Sequence, residues 1–426
     1  MTIGKRRSRQ REIAEILGRH GLGFFMGIAG LDRFVPFHRG LFGHARRDTP
    51  YTRPEHVRMA FEELGTTFIK FGQILSTRAD LLPPAYQAEL ARLQDHAPSI
   101  PIEVVRETIV REFGRPAEEL FAEFDPQPLA VGSIGQAHVA RLADGTEVVV
   151  KVRRPGVVEQ VDEDLRILAD LAQTADRRWE AATQIDLPGL VSEFGRTLRA
   201  ELDFLAERTN AERFAAMFSG DMTMHIPRVF GDRSTTAVLT LERMHGLKIN
   251  DRAGLEDAGI DRRLLAQHAT DALLKMVFEE RFFHADPHPG NFFICPDGTI
   301  GLIDFGMVGV IDERTRDQLA SFLVALSSQD SSRLVDAFLD LGVGGHGASR
   351  DALERDLERL MMDLYGRPLG EVRLGPVIAE AQSIARNHRL RLPTNLALLL
   401  KTLAMAEALA TELDPEFRLS EALEPY

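Results

Sequence analysis

The sequence predicts an α+β fold of two lobes, a small one containing β-strands and a larger, mostly helical one. Three observations carry that expectation. Glu147 to Val152 is a Val-rich run set off from a preceding strand-like stretch by an Ala143-Asp144-Gly145 turn, the pattern of adjacent strands. Phe292 to Ile303 reads as two short apolar strands bent at Pro296-Asp297-Gly298. From about residue 313 onward apolar residues recur at helical spacing. The expected division is a basic extension over residues 1–50, a β-containing lobe with its own N-terminal helices over 51–245, and a helical lobe over 246–426.

The chain has 426 residues, 44% hydrophobic and 27% charged, a globular composition with room for more than one core. Its formal net charge is −13, so no nucleic-acid partner is expected. The one cysteine, Cys295, excludes an internal disulfide and a Cys-rich zinc site, and its apolar neighbours mark it as a packing residue. The basic N-terminus is followed by no A-x-A-like cleavage site, so no signal peptide is expected. No apolar run approaches the ~20 residues of a membrane span; Leu22 to Leu31 is short and Gly-rich. The expected location is the cytoplasm.

Taken in order, Lys5, Arg6, Arg7, Arg9 and Arg11 form a basic cluster, with Ile13, Ile16 and Leu17 giving an apolar edge at helical spacing. This reads as a solvated, partly disordered tail or, more sharply, as an attachment to anionic lipid headgroups. Pro54-Glu55 is a helix start. Thr66 to Arg78 continues helical, with Lys70, Gln73 and Thr77 on one face and Phe68, Phe71 and Leu75 on another, until Pro83-Pro84 stops it. On composition alone Lys70 and Gln73 would be an exposed polar face. Residues 98–125 predict an amphipathic helix broken at Gly114.

Pro128 to Ala140 begins small and polar, through Ala130-Val131-Gly132-Ser133-Ile134-Gly135-Gln136, and ends strand-like. The next strand carries Lys151 between Val150 and Val152, and a charge flanked by apolar residues needs a partner. Strand, tight turn and strand with a single Lys match the phosphate-gripping layout of kinases, although Gly132 and Gly135 fall short of a full G-x-G-x-x-G. Two helices follow over 157–219. The second bears Glu201, Asp203 and Glu207, with Asp203 and Glu207 on one face and Glu201 roughly opposite; spacing does not choose among them as the partner of a lysine. Ala237 to Leu241 is a strand leading to Glu242-Arg243-Met244, and in a two-lobed kinase backbone groups from Glu242 to Met244 would pair with an adenine.

The stretch with the most chemistry is His284-Ala285-Asp286-Pro287-His288-Pro289-Gly290-Asn291, followed by Asp304-Phe305-Gly306. Asp286 and Asn291 are spaced as in a kinase catalytic loop, and Asp304 opens a D-F-G. The hairpin between them should return the chain so that Asn291 and Asp304 share one mouth. Two oxygen ligands there suit Mg²⁺, which takes few protein oxygens beside phosphate and water. Asp286 would then lie near the phosphate to be moved or hydrolysed. The residue before Asp286 is Ala285 rather than Arg, His288 stands where kinases carry a catalytic-loop Lys, and a helix is expected near Glu313, which leaves almost no peptide-binding segment. Leu319 to Leu326, Leu334 to Leu341, Leu353 to Tyr365 and Leu396 to Leu409 then read as packing helices without chemistry, with Met361-Met362 in a core.

Over roughly residues 50–424 these stretches resemble the UbiB/AarF family of atypical kinase-like proteins, of the aminoglycoside/ubiquinone-biosynthesis type. The carrying motifs are Lys70-Phe71-Gly72-Gln73 with Ser76 to Pro83, Ala130 to His138, Val150-Lys151-Val152 with Arg154-Pro155-Gly156, Glu201 to Phe204, His284 to Asn291 and Asp304 to Gly306. The resemblance implies a kinase-like fold with a K-x-G-Q helical segment on the small lobe. It implies ATP (or ADP) with Mg²⁺ as cofactors. Lys151 would grip the phosphates and pair with Glu207, Asn291 and Asp304 would hold the metal, and Asp286 would take the catalytic-base position. Lys70 and Gln73 would fold over the active site and meet Glu201 and Asp203, filling the place of a protein substrate. The nucleotide lid would be the Ala130–Gln136 stretch, with Gly132 where the family carries a further Ala. The implied activity is Mg-dependent ATPase or phosphotransfer to a small molecule or lipid, in isoprenoid quinone or lipid metabolism, with peripheral contact at the inner face of the cell membrane. A true protein kinase and a non-catalytic, nucleotide-gated scaffold are the alternatives.

Overall fold

Thr52 caps the first helix after the extension through a reciprocal pair of bonds with Glu55, the chemistry expected of a Pro-Glu helix start. The computed structural model describes residues 3–20, 52–78, 81–93, 98–178, 186–328, 330–344, 349–364, 373–419 and 422. Leu22 to Leu31 lies outside them. The chain divides into two units, one formed by Met1–Phe204 with Thr235–Leu239, the other by Leu205–Ser234 with Thr240–Tyr426.

The first unit begins with α1 (Ile3–Arg19), followed by α2 (Arg53–Leu64), α3 (Thr66–Ser76), α4 (Pro84–Leu90), α5 (Ile102–Phe113) and α6 (Ala117–Leu120). Gly114 ends α5 with a positive φ of 68°, the left-handed cap that glycine accepts without strain. An antiparallel meander follows: β1 (Glu123–Val131), β2 (Gly135–Arg141) and β3 (Glu147–Arg153). Residues 235–239 return beside β3, where Arg153 N–H donates to the Ala237 carbonyl at 2.9 Å. Two long helices, α7 (Val157–Arg178) and α8 (Leu187–Leu202), complete the unit. Val161, Leu165, Phe194 and Leu198 pack with Phe68 and Leu64 in one core.

The apolar edge of α1 and Arg9 are used within the unit. Ile13 and Ile16 are buried in that same core, and the Arg9 guanidinium reaches Asp164 at 2.7 Å and the Leu64 carbonyl at 2.7 Å. Asp164 is fully buried and also accepts from the Thr67 hydroxyl at 2.8 Å, so it needs a cation and Arg9 supplies one. An apolar edge satisfied internally is not offered to lipid.

The second unit holds α9 (Phe204–Met217, from Leu205 onward), β4 (Met224–His225), the end of β5 (Val238–Glu242), β6 (Leu247–Lys248), α10 (Arg252–Asp257) and α11 (Arg262–Leu274). Next come β7 (Phe282–His284), β8 (Phe292–Ile294), β9 (Ile300–Leu302) and β10 (Val308–Val310). One small sheet runs β4-β9-β8-β6, and β7 pairs antiparallel with β10. The helices α12 (Glu313–Ser327), α13 (Ser331–Leu341), α14 (Arg350–Leu364), α15 (Leu374–Asn387) and α16 (Thr394–Leu413) close the unit, with the two-residue β11 (Val343–Gly344) and β12 (Leu390–Arg391) between them. Met361 packs against their core as expected, whereas Met362, one position round the helix, is 72% exposed. Among the described residues no helix is long and apolar enough to cross a membrane.

Candidate functional site

In the second unit the hairpin forms as its turn chemistry predicts. Phe292 pairs with Leu302 and Ile294 with Ile300. Gly298 takes φ +85°, and Cys295 N–H closes the bend on the Thr299 carbonyl at 2.9 Å. The next rung carries the chemistry: Ile303 N–H donates to the Asn291 carbonyl at 2.9 Å, which brings Asn291 and Asp304 to one end of the hairpin. Asp304 sits in the left-handed region at φ +65°, a conformation that Asp tolerates better than bulkier residues.

Asn291 donates through Nδ2 to the Asp286 carbonyl at 3.0 Å and to Asp286 Oδ2 at 3.4 Å. Its Oδ1 is thus the atom left for a cation. His284 is buried and braces both motifs. Its Nε2 donates to the Asp304 carbonyl at 2.6 Å while Nδ1 accepts from Asp286 N–H at 3.3 Å, a pattern that fixes the neutral tautomer. Burial is the main cause holding its pKa below the ordinary imidazole value, against the opposing pull of Asp304 and Asp286. Phe305 is buried, its N–H donating to Glu207 Oε1 at 3.4 Å and its carbonyl accepting from Asn210 Nδ2 at 2.9 Å. Glu207, on α9, is therefore tied to the D-F-G backbone. Cys295 is buried and its thiol is pushed up by desolvation, as suits a packing residue. At the end of β5, Glu242 N–H is committed to the Arg228 carbonyl at 2.8 Å and its Oε2 accepts from Arg228 N–H at 3.0 Å, while Met244 packs over Gly301.

Asn291 and Asp304 offer hard oxygen donors, with Asp304 Oδ1 also accepting from Gly306 N–H at 3.2 Å, and such a pair fits Mg²⁺ completed by phosphate and water. Among the described residues no group of three or more His, Cys, Asp or Glu side chains could hold a metal, so a zinc-type cage is not an alternative there.

In the first unit Val148, Val150 and Val152 of β3 are buried and Lys151 points to the opposite, half-buried face, so strand alternation answers how a lysine sits in a Val run. The preceding turn is held by its carbonyls. Arg154 N–H donates to the Ile134 carbonyl at 2.8 Å and its Nε to the Gly132 carbonyl at 3.0 Å, and the Thr66 hydroxyl donates to the Ser133 carbonyl at 3.3 Å. Gly132 N–H closes the turn on the Gly135 carbonyl at 2.8 Å, which leaves the Ser133 and Ile134 amides as the ones the turn can offer to an anion. Gly135 is required by close approach, since a Cβ there would meet the Val152 carbonyl at 2.5 Å. Ala130 and Val131 pair with Ala137 and Gln136 across β1 and β2. The Gln136 side chain is buried, bonded to both polar atoms of the Ile100 backbone and to His138.

Lys70 and Gln73 are not an exposed polar face. Lys70 Nζ lies 3.1 Å from Glu201 Oε2, both largely buried, and Gln73 Nε2 donates to the Leu93 carbonyl at 3.2 Å. Asp203 caps the end of α8. Lys151 belongs to the first unit and Glu207 to the second.

One residue escaped the sequence reading. Lys401 on α16 reaches Asp286 Oδ1 at 3.4 Å. The signal was present: Leu398-Leu399-Leu400-Lys401-Thr402-Leu403 sets a charge among apolar neighbours, the same argument that singled out Lys151.

Comparison with known proteins places these features in company. Residues 92–338 match the ABC1 atypical kinase-like domain and residues 357–418 the UbiB helical domain. A probable protein kinase UbiB from Tolumonas auensis is 34% identical over 430 residues, covering 97% of this chain and 77% of its own. Its counterpart from Azotobacter vinelandii is 35% identical over 385 residues, covering 89% and 72%. The solved structure of Rv3197 from Mycobacterium tuberculosis, in complex with erythromycin, is 26% identical with a TM-score of 0.59, covering 85% of this chain and 93% of that one.

Proposed function

The chain belongs to the UbiB family of ABC1 atypical kinase-like proteins, and from that premise we propose that it binds ATP with Mg²⁺ and turns it over, by hydrolysis or by phosphoryl transfer to a small or lipid-like acceptor in isoprenoid quinone metabolism. The observation that carries this reading is the Ile303-to-Asn291 rung, which sets Asn291 beside Asp304 with Asp286 bonded to Asn291. Mg²⁺ bound there would neutralise developing charge on the phosphates. Asn291 and Asp304 would hold it, and His284 keeps the backbone of both motifs in register. Asp286 orients the attacking hydroxyl or water and accepts its proton. In the first unit, Lys151 would grip the phosphates and the Ser133 and Ile134 amides would meet the phosphate oxygens. A lipid-like acceptor would be drawn from an anionic membrane surface.

A protein acceptor is the second reading, favoured by the name that the relatives carry. Weighing against it, only six residues separate Gly306 from the start of α12 at Glu313, and three of them form β10, which leaves little chain to hold a peptide. The test is ATP turnover by the full chain with Mg²⁺, with and without anionic liposomes and a phenolic quinone-precursor analogue. Turnover that rises with lipid and falls at least about a hundredfold in Asp286→Asn is expected. Phosphate passed instead to protein partners favours the second reading; ATP binding without turnover under any condition contradicts both.

A further inference from the structure

The C-terminal helices contribute a residue to the catalytic loop. Asp286 has two carboxylate oxygens, and the second unit holds each from a different side: Oδ2 by Asn291 Nδ2 at 3.4 Å and Oδ1 by Lys401 Nζ at 3.4 Å. Two-point holding fixes the rotation of the carboxylate, and a base must be aimed as well as ionised. Two other basic side chains of this loop region, His288 and Lys248, are engaged elsewhere. His288, at the position of the kinase catalytic-loop lysine, turns Nδ1 to accept Gly290 N–H at 3.0 Å. Lys248 donates to the Gly290 carbonyl at 2.7 Å and lies over the Phe293 ring at 3.8 Å. Neither His288 nor Lys248 is given to Asp286.

Lys401 can take that place because its helix is fixed. On α16, Leu399, Leu409 and Ala410 are buried in the same core as Phe282, Phe292 and Phe305, which flank the catalytic loop. Two turns beyond Lys401, Glu407 is buried and caps α15, accepting from Leu374 and Gly375 N–H at 2.8 and 2.6 Å. The ammonium therefore projects from a helix packed at both ends of its length.

We propose that Lys401 is the positioning residue of the catalytic loop, holding the Asp286 carboxylate in the orientation that accepts the proton from the attacking group. The proposal rests on the reading of Asp286 as the base of an ATP-turnover site. It gives the UbiB helical domain a part in the chemistry, through one side chain 115 residues from the aspartate it serves.

The test is steady-state ATP hydrolysis by the full chain in Lys401→Met, Lys401→Arg, Asp286→Asn and the Lys401→Met/Asp286→Asn double variant. Lys401→Met should lower kcat roughly ten- to hundredfold, the worth of a charge-assisted hydrogen bond, with KM for ATP moved less than about threefold. Lys401→Arg should recover much of the loss, and the double variant should be no slower than Asp286→Asn, because Lys401 acts through Asp286. A merely structural lysine would move stability and KM together and give losses that multiply. Lys401→Met with kcat within about twofold of the native chain, or multiplying losses in the double variant, overturns the proposal. Should Lys401→Met fail to fold, Lys401→Gln, which keeps a polar head, is held to the same criteria. Native turnover with an unaffected Lys401 variant removes only this inference; no native turnover removes the reading of the site, and this inference with it.

Discussion

Each unit contains a lysine paired with a carboxylate, and the two pairs are not alike. In the first, Lys70 and Glu201 are 3.1 Å apart with side chains 18% and 8% exposed. In the second, Lys401 and Asp286 are 3.4 Å apart with side chains 25% and 39% exposed. A carboxylate taken almost wholly out of water depends on its cation, and removing that cation leaves a buried charge. A carboxylate still open to solvent loses little stability when its cation goes, but it loses a fixed direction. Burial thus separates an ion pair that holds helices together from one that, on the proposal above, aims a reactive group.

Substitution should separate them by readout as well. Lys70→Met is expected to destabilise the chain by about 2–3 kcal/mol, lowering its urea midpoint, with Lys70→Met/Glu201→Met recovering part of the loss. Lys401→Met should cost less than about 1 kcal/mol in the same titration. Equal shifts in the two variants would erase the distinction.

A smaller effect should appear with pH in the first unit. His138 is buried, its Nδ1 at 2.9 Å from the Asp125 carbonyl and its Nε2 at 2.8 Å from Gln136 Nε2, a donor. Burial holds its pKa below the ordinary value of 6.5, only partly offset by Asp125. The unfolded chain then binds a proton that the folded chain refuses, so stability is full above pH 6.5 and declines as pH falls below it toward the depressed value. Urea midpoints measured on either side of pH 6.5 should show that decline, and His138→Gln should flatten it. An unchanged slope in the variant assigns the acid sensitivity elsewhere.

Much of this was legible in the sequence where the governing interactions are local. Pro296-Asp297-Gly298 specifies its own bend, and the bend fixes which residues face each other, so the meeting of Asn291 and Asp304 followed from a dozen consecutive residues. The short stretch between Asp304-Phe305-Gly306 and α12 was legible for the same reason. What was hidden depends on partners far along the chain. Arg9 looked like part of a basic tail because Asp164, which needs it, is 155 residues away. Lys70 looked exposed because its helix face meets Glu201 from α8 rather than water. Lys401 was passed over because its helix otherwise reads as packing, although a lone charge in that run was the clue.

The central claim is that the hairpin mouth is a Mg²⁺-nucleotide site, and the most direct measurement is ATP affinity of the native chain and of Asp304→Asn, each with and without Mg²⁺. The native chain should bind ATP tightly and only with Mg²⁺, and Asp304→Asn should lose that dependence. Equal, Mg²⁺-dependent affinity in both proteins would contradict it.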